Sequence, residues 1–362
     1  MRVCFVVGEI FHWGYYGGFG ALTRTIGKNL VKSGIEVYVL LLYKTYEKHR
    51  AIETLDGMVV VSPSSRRDLS IYRMCDADIY HSEDATTGTY YAMRADPDRK
   101  HVVTFQDPMY DYELRMSQWQ FRPGWSNPYY RMRTKMARRV ANFLVKRAIH
   151  RADALFTQAK YIIPKVISMY DLRNPPQFLP NPVEVPSRSL RKADRPTVCF
   201  LGRWDPVKRV DIFFELTRKF PDVRFIALGK ARDGERDSQL RKLYGTIPNL
   251  EMVGFVSEEE KSMILEDSWV LINTSLRECL PVSFLEASAH KCAILSSNNP
   301  DEFAKQFGYY VNDGDYVKGL YILLKNDLWK EKGAKGYEYV KENHELNKVI
   351  REHINVYRSL ES

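Results

Sequence analysis

The sequence predicts an α/β protein built from two doubly wound, Rossmann-like domains. Three observations carry that expectation. Short apolar runs of strand length alternate with amphipathic runs of helix length along the whole chain, the pattern of parallel sheets covered by helices. A stretch with four prolines and mixed charge, PNPVEVPSRSLRKADRP (180–196), separates two such series and reads as an interdomain linker. At 362 residues the chain exceeds what one ordinary core organises. It fits two domains of roughly 170 residues each, here placed at 1–185 and 186–345, with a polar helix over 346–362.

In the first half, MRVCFVVGE opens with a strand over Arg2–Val7. Its apolar stretch is only five residues long and is followed by Gly-Glu, so it reads as a first strand and not a signal peptide. Gly17, Gly18 and Gly20 lie just ahead of a helix expected from about Ala21 to Ser33, which Gly34 ends. Glycines at such a place let the backbone approach a ligand closely, although many loops carry a glycine cluster. Strands follow at Glu36–Tyr43 and 58–62. ADIYHS (77–82) and HVVTFQDP (101–108) are two more, each ending in polar groups, among them His81, Gln106 and Asp107. Residues 109–130 form an insertion rich in Tyr, Trp and Pro, including Trp119, Trp125, Tyr129 and Tyr130. A last strand, ADALFTQ (152–158), completes this half.

The second half carries the sharper signals. TVCFLGRWDPVKRVDIFFEL reads as a strand (Val198–Leu201), a loop with Arg203 and Lys208, then a helix beginning near Val210. Two cations at a strand's carboxyl end, beside a helix start, are placed to hold a diphosphate. The strand VRFIALG follows and ends at Gly229. In RECLPVSFLEASA, Glu278 and Glu286 stand eight positions apart. Pro281 is placed to open a helix, where its missing N–H costs nothing. Val282, Leu285 and Ala289 then recur at helical spacing. A helix start offers backbone N–H groups and a dipole that favours negative charge. Amides for phosphate oxygens, with carboxylates for hydroxyl groups on either side, suit a phosphorylated sugar. The plainer alternative is two acids near an ordinary helix start.

With these motifs in order, the chain resembles the retaining glycosyltransferases of family 4. The match is to their Arg/Lys phosphate loop and E-x7-E motif, here Arg203, Lys208, Glu278 and Glu286. The resemblance covers most of the chain and is strongest over 197–290. It implies the GT-B fold, with two domains facing a cleft and the last helix crossing back to the first domain. It implies transfer of a sugar from a nucleotide diphosphate sugar, with no cofactor and no metal. Glu286 would hold the ribose hydroxyls and Glu278 the donor-sugar hydroxyls. Arg203 and Lys208 would stabilise the leaving diphosphate. The backbone at Leu280, Pro281 and Val282 would meet the phosphate and sugar, with Gly17, Gly18 and Gly229 also on the donor side. His12, His81, Gln106 and Asp107 would face the acceptor, as would the aromatic insertion, although a histidine at a strand end is more often structural and aromatics under a long loop usually pack. The chain departs from the family where Gln106-Asp107 replaces His-Asp, where Cys279 and Pro281 stand in a loop that often has glycines, and where Lys291 and Ala293 replace a Gly and a Pro.

Composition bounds the alternatives. Hydrophobic content of 44% and charged content of 27% describe a globular protein, and no segment approaches the ~20 apolar residues of a membrane span. Cys4, Cys75, Cys199, Cys279 and Cys292 lack paired or zinc-like spacing, and Cys4 and Cys199 fall in expected core strands. Reduced thiols in a cytoplasmic protein follow as the expectation. The strings Asp76-Ala-Asp78 and Asp96-Pro-Asp98 look metal-binding, but the first runs into a strand and the second lies in a turn. Of the net charge of +9, residues 1–185 hold most, with 26 Lys/Arg against 18 Asp/Glu. Arg131–Arg151 has eight Lys/Arg and no acid, with Met132, Met136, Val140, Phe143 and Leu144 at roughly helical spacing. That is a packed helix with a solvated basic face, or an interfacial helix drawn to anionic lipid. No nucleic-acid module is recognisable, so nucleic acid is not an expected partner. Two readings remain: a glycosyltransferase acting on a glycan or lipid-linked acceptor, or a non-catalytic nucleotide-sugar or glycan binder on the same fold.

Overall fold

A computed structural model describes residues 1–11, 17–42, 52–63, 65–118 and 128–361. His12, Tyr43, Trp119 and Trp125 lie outside these. The chain divides into two compact units, Met1–Pro182 together with Asn347–Ser362, and Val183–Leu346.

The first unit contains strands β1 (Arg2–Val7), β2 (Glu36–Leu41), β3 (Ile52–Leu55), β4 (Met58–Val61), β5 (Ile79–Ser82), β6 (Lys100–Phe105), β7 (Ala154–Thr157) and β8 (Gln177–Phe178). Its helices are α1 (Gly18–Lys32), α2 (Leu69–Met74), α3 (Thr87–Ala95), α4 (Asp111–Gln118), α5 (Pro128–Ile149) and α6 (Ile163–Tyr170). The sheet runs β3-β4-β2-β1-β5-β6-β7-β8, parallel throughout except for β3, which pairs antiparallel with β4 at the edge. β1, β5 and β6 are almost wholly buried, because helices cover both faces of a parallel sheet. The edge strand β3 was not expected from sequence; its residues IETL leave every other position exposed, so it lacks a continuous apolar run.

The second unit contains β9 (Thr197–Leu201), α7 (Val210–Leu216), β10 (Arg224–Leu228), α8 (Gly234–Tyr244), β11 (Leu250–Gly254), α9 (Glu258–Asp267), β12 (Val270–Asn273), α10 (Val282–Ala289), β13 (Ala293–Ser296), α11 (Phe303–Phe307), β14 (Gly308–Tyr310), α12 (Tyr316–Leu324) and α13 (Leu328–Asn343). Its six strands are all parallel, in the order β11-β10-β9-β12-β13-β14. The chain therefore winds outward from β9 in one direction and resumes at β12 on the other side of it. The gap between the carboxyl ends of β9 and β12 is a topological switch point, where open α/β sheets bind ligands. Trp204, Phe213, Phe214 and Phe225 fill the core beneath it.

The final helix α14 (Leu346–Glu361) is counted with the first unit from Asn347 onward. It is more amphipathic than the expected polar helix, burying Val349, His353 and Tyr357. The proline-rich stretch is tied down rather than free. Val183 forms a parallel bridge with Glu345, and Trp269 Nε1 donates to the carbonyl of Ala193 at 2.9 Å. All five cysteines are free and buried, Cys4 in β1 and Cys199 in β9.

Candidate active site

The loop after β9 is shaped by short-range chemistry. Gly202 leads into Arg203 and the buried Trp204, and Pro206 starts a single turn that ends at Lys208. Arg209 then adopts the left-handed conformation (φ 46°), which reverses the chain into α7. A non-glycine residue is held there at a cost, and the cost is offset by its side chain. The Arg209 guanidinium donates to the carbonyls of Thr274 (2.7 Å) and Ser275 (3.3 Å). Thr274 Oγ1 donates back to the carbonyl of Lys208 at 2.7 Å. These bonds lock the loop after β9 to the loop after β12.

The lock brings Lys208 and Glu278 together. Lys208 Nζ donates to Glu278 Oε1, which also accepts from Ser275 Oγ (2.6 Å) and Asn273 Nδ2 (3.3 Å). The Glu278 N–H donates to Asn298 Oδ1 at 3.0 Å, so the carboxylate's backbone is held as well. Burial alone would push the Glu278 carboxyl up, but the Lys208 ammonium and the two further donors outweigh it and hold the group below the usual range. Glu278 is therefore an ionised hydroxyl acceptor at neutral pH. Arg203 pairs through Nε with Asp205 at 3.0 Å. Asp205 is buried and also accepts from the Arg232 amide at 3.0 Å, linking the loops after β9 and β10.

α10 begins at Val282, with Pro281 extended (φ −71°, ψ 138°) as its cap instead of occupying the first turn. No side chain caps this end. Leu280 is buried, which anchors the segment between Glu278 and the helix. Glu286 lies one turn further along, and its Oε1 accepts from Lys261 Nζ at 2.6 Å. Gly229 has φ 112°, and an added Cβ would stand 2.1 Å from the carbonyl oxygen of Gly202. Its glycine is explained by close packing of two strand-end loops, not only by the donor-side place that the resemblance implies.

In the first unit, Gly17 caps α1 and Gly18 is its exposed first residue. The N–H of Gly20 donates to Glu9 Oε1 at 3.0 Å, so a protein carboxylate already meets this helix start. Two acceptor-side expectations need correction. His81 is fully buried, with Nδ1 against the Tyr357 hydroxyl (2.7 Å) and Nε2 against Thr104 Oγ1 (2.8 Å). Burial, reinforced by nearby His353, holds its pKa well below normal, so it is a neutral core residue. Gln106 is also inside, exchanging two 3.0 Å hydrogen bonds with Asn181. Both end strands whose two faces are covered, so a polar residue there turns inward to a partner. Asp107 stays half-buried at the sheet's carboxyl edge, where its charge helps burial raise Asp84 to about 7. The two DxD-like strings sit elsewhere. Asp76 and Asp78 pair with Arg2 and Arg99 at the amino edge of the sheet, and Asp96 accepts from the Tyr80 hydroxyl. Among the described residues no group of three or more His, Cys, Asp or Glu is placed to hold a metal ion.

The sequence singled out Arg203, Lys208, Glu278 and Glu286 as candidates and passed over Asn273, Ser275, Asp205 and Lys261, which the structure places against them. Asp205 had a signal, lying between the two cations of its own loop. Lys261 had none, since 25 residues separate it from Glu286.

Residues 184–326 match the glycosyl transferases group 1 family. No curated protein sequence matches the chain. Solved structures of similar fold include sucrose-phosphate synthase from Thermosynechococcus elongatus, at 14% identity and TM-score 0.72, covering 99% of this chain and 98% of that one. Another is Anabaena HepE in complex with UDP-glucose, at 12% identity and TM-score 0.69, covering 99% and 100%. A third is a glycosyltransferase from Rickettsia africae, at 14% and 0.67, covering 99% and 98%. The fold is GT-B.

Proposed function

We infer, from a chain whose residues 184–326 match the glycosyl transferases group 1 family, a glycosyltransferase that moves a sugar from a nucleotide diphosphate sugar to a hydroxyl group of a glycan, glycolipid or glycoside. The observation that carries this reading is the Lys208–Glu278 pair at the switch point of the second sheet. A cation and an ionised carboxylate, one hydrogen bond apart beside an uncapped helix start, match a sugar joined to a phosphate. HepE, of the same fold, is seen with UDP-glucose, which supports a donor of that class.

In this reading charge develops on the leaving phosphate as the anomeric bond breaks. Lys208 and Arg203 meet it, with the amides of Leu280 and Val282, and fixed charges of this kind are usually the largest catalytic term. Glu278 accepts from hydroxyls of the donor sugar, and Glu286 from the ribose. The transfer retains anomeric configuration and needs no metal, because the cations and amides neutralise the diphosphate. No protein nucleophile is assigned. Thermal shift with nucleoside diphosphates and their sugars identifies the donor, since a ligand that binds only the folded state raises the melting temperature. Release of nucleoside diphosphate only when acceptor is present then establishes transfer. Binding without release in the presence of candidate acceptors would favour a non-catalytic binder.

The acceptor reading extends to a membrane surface. Along α5, Met136, Val140 and Phe143 are 61%, 60% and 64% exposed, one above another at i, i+4 and i+7, among Lys135, Arg139 and Arg147. An apolar stripe bordered by cations fits a peripheral contact with anionic lipid. Among the described residues no helix is long and apolar enough to cross a membrane. A cytoplasmic enzyme working on a lipid-linked acceptor joins these observations.

A further inference from the structure

Glu286, assigned above to the ribose, already has a partner. Its Oε1 accepts from Lys261 Nζ at 2.6 Å, and the same ammonium meets Glu258 Oε2 at 2.6 Å. The Lys261 and Glu286 side chains are 16% and 18% exposed, whereas Glu258 is 77% exposed. Burial alone would lower the pKa of the Lys261 ammonium, but the two carboxylates outweigh it and raise it. The Lys261 ammonium therefore keeps its charge beside the two carboxylates.

Its geometry is held by a second contact between the same two helices. His290 Nδ1 lies 2.7 Å from the Glu286 carbonyl, and its Nε2 lies 2.8 Å from Ser262 Oγ. A carbonyl only accepts, so Nδ1 carries the proton and Nε2 accepts from Ser262. Burial lowers the pKa of His290 and keeps this neutral form. The clamp fixes α9 against α10 directly beside Lys261 and Glu286, so the ion pair is preorganised.

Each partner keeps unused capacity. An ammonium has three hydrogens, and two are committed here; among the described residues no hydrogen bond or ion pair engages Glu286 Oε2. A donor and an acceptor side by side are what a vicinal diol needs, because each hydroxyl both gives and takes a hydrogen bond. A mostly buried ion pair is costly unless its remaining valences are filled. We propose that Lys261 is a ribose-reading residue: its third hydrogen is donated to a hydroxyl oxygen of the same diol whose protons Glu286 accepts, so that the pair together selects ribonucleotides over deoxyribonucleotides. This rests on the assignment of Glu286 to the ribose.

The test is calorimetric titration of the whole chain with UDP, GDP and ADP, then with the 2′-deoxy and 3′-deoxy forms of whichever binds most tightly. A site built around a hydroxyl rejects the analogue lacking it, so wild type should prefer the ribonucleotide by about tenfold or more. Lys261→Met should lose most of that preference, with affinity for the ribonucleotide falling and affinity for a deoxy form little changed. Lys261→Gln, which keeps one donor, should recover part of it; melting of each free variant checks folding, and Lys261→Gln decides if Lys261→Met does not fold. Full preference in Lys261→Met with loss in Glu286→Gln would overturn the role of Lys261 and leave that of Glu286 standing. Full preference in both would remove the ribose from this pair. No binding of any of the three diphosphates would sink the nucleotide reading and this inference with it.

Discussion

In the proposed reading Lys208 serves two groups at once, the diphosphate and Glu278, and its removal separates them. In Lys208→Ala the leaving phosphate loses a charge-assisted contact worth about 1.5–3 kcal/mol, so turnover should fall by roughly tenfold or more. Glu278 would also lose the cation that outweighs its burial, and its pKa would rise. The acid limb of the pH–rate profile should therefore move to higher pH in Lys208→Ala; an unmoved limb would show that Glu278 does not depend on Lys208. Arg203→Ala should lower turnover by a similar factor and leave the fold intact, since Asp205 keeps Arg232. Unchanged rate and nucleotide affinity in both variants would place the diphosphate elsewhere. Arg203, Lys208, Glu278 and Glu286 were legible in the sequence because they stand at fixed offsets from strand and helix ends. Their partners were not. Lys208 and Glu278 are 70 positions apart, and only the β9–β12 switch point joins them. At His81 the sequence left acceptor contact and a structural role open, and Gln106 was read toward the acceptor, because strands covered on both faces carry no alternation to show which polar residue turns inward.

Elements were easier to read than contacts. The span of β1 and the start of α7 followed, and those of β10 and α10 followed to within a residue, from apolar runs bounded by Gly and Pro, signals that need no tertiary partner. The Gly229 loop shows the limit of that reading, because its tight approach to Gly202 is a property of two strand ends together. Gly229→Ala should lower the melting temperature by several degrees, combining a strained φ of 112° with a 2.1 Å clash against backbone. A variant as stable as wild type would show that the loops separate freely. The docking of α14 predicts a pH effect. His353 is buried, and burial lowers its pKa to about 4 from an unfolded value near 6.5. Its contribution to stability is thus present above about pH 6.5 and is lost as pH falls toward 4, because the unfolded chain takes up the proton first. Glu83, raised by burial to about 7, works oppositely, stabilising most below its unfolded value and losing that contribution as pH rises to 7. Melting curves between pH 6.5 and 4.5 should therefore show a smaller decline in His353→Gln than in wild type. Equal declines would mean that the imidazole takes up its proton in the fold as readily as in the unfolded chain.

At the scale of the whole molecule, two series of strands and helices around a proline-rich stretch were enough to indicate two α/β units, since alternation and length survive without any contact information. Charge asymmetry was equally legible, and the structure adds what sequence left open, namely which face of the basic helix is bare. A helix packed through its apolar residues would bury Met136, Val140 and Phe143, whereas burial on α5 is concentrated further on, at Val145, Ala148 and Ile149. Residues 135–143 of that helix thus present apolar side chains and cations on one exposed surface. Each Lys or Arg near an anionic bilayer contributes about 1 kcal/mol, and the attraction fades within a Debye length as salt is added. Vesicles of mixed neutral and anionic phospholipid should therefore pellet the protein at low salt and release it at high salt. Phe143→Ser should weaken the low-salt binding by removing inserted apolar area, and Arg139→Glu should weaken it by charge, with neither change altering the fold because both positions are exposed. Equal pelleting with purely neutral vesicles would mean that the cations play no part. No pelleting with anionic vesicles at low salt would return the stripe to ordinary surface and favour an acceptor free in solution.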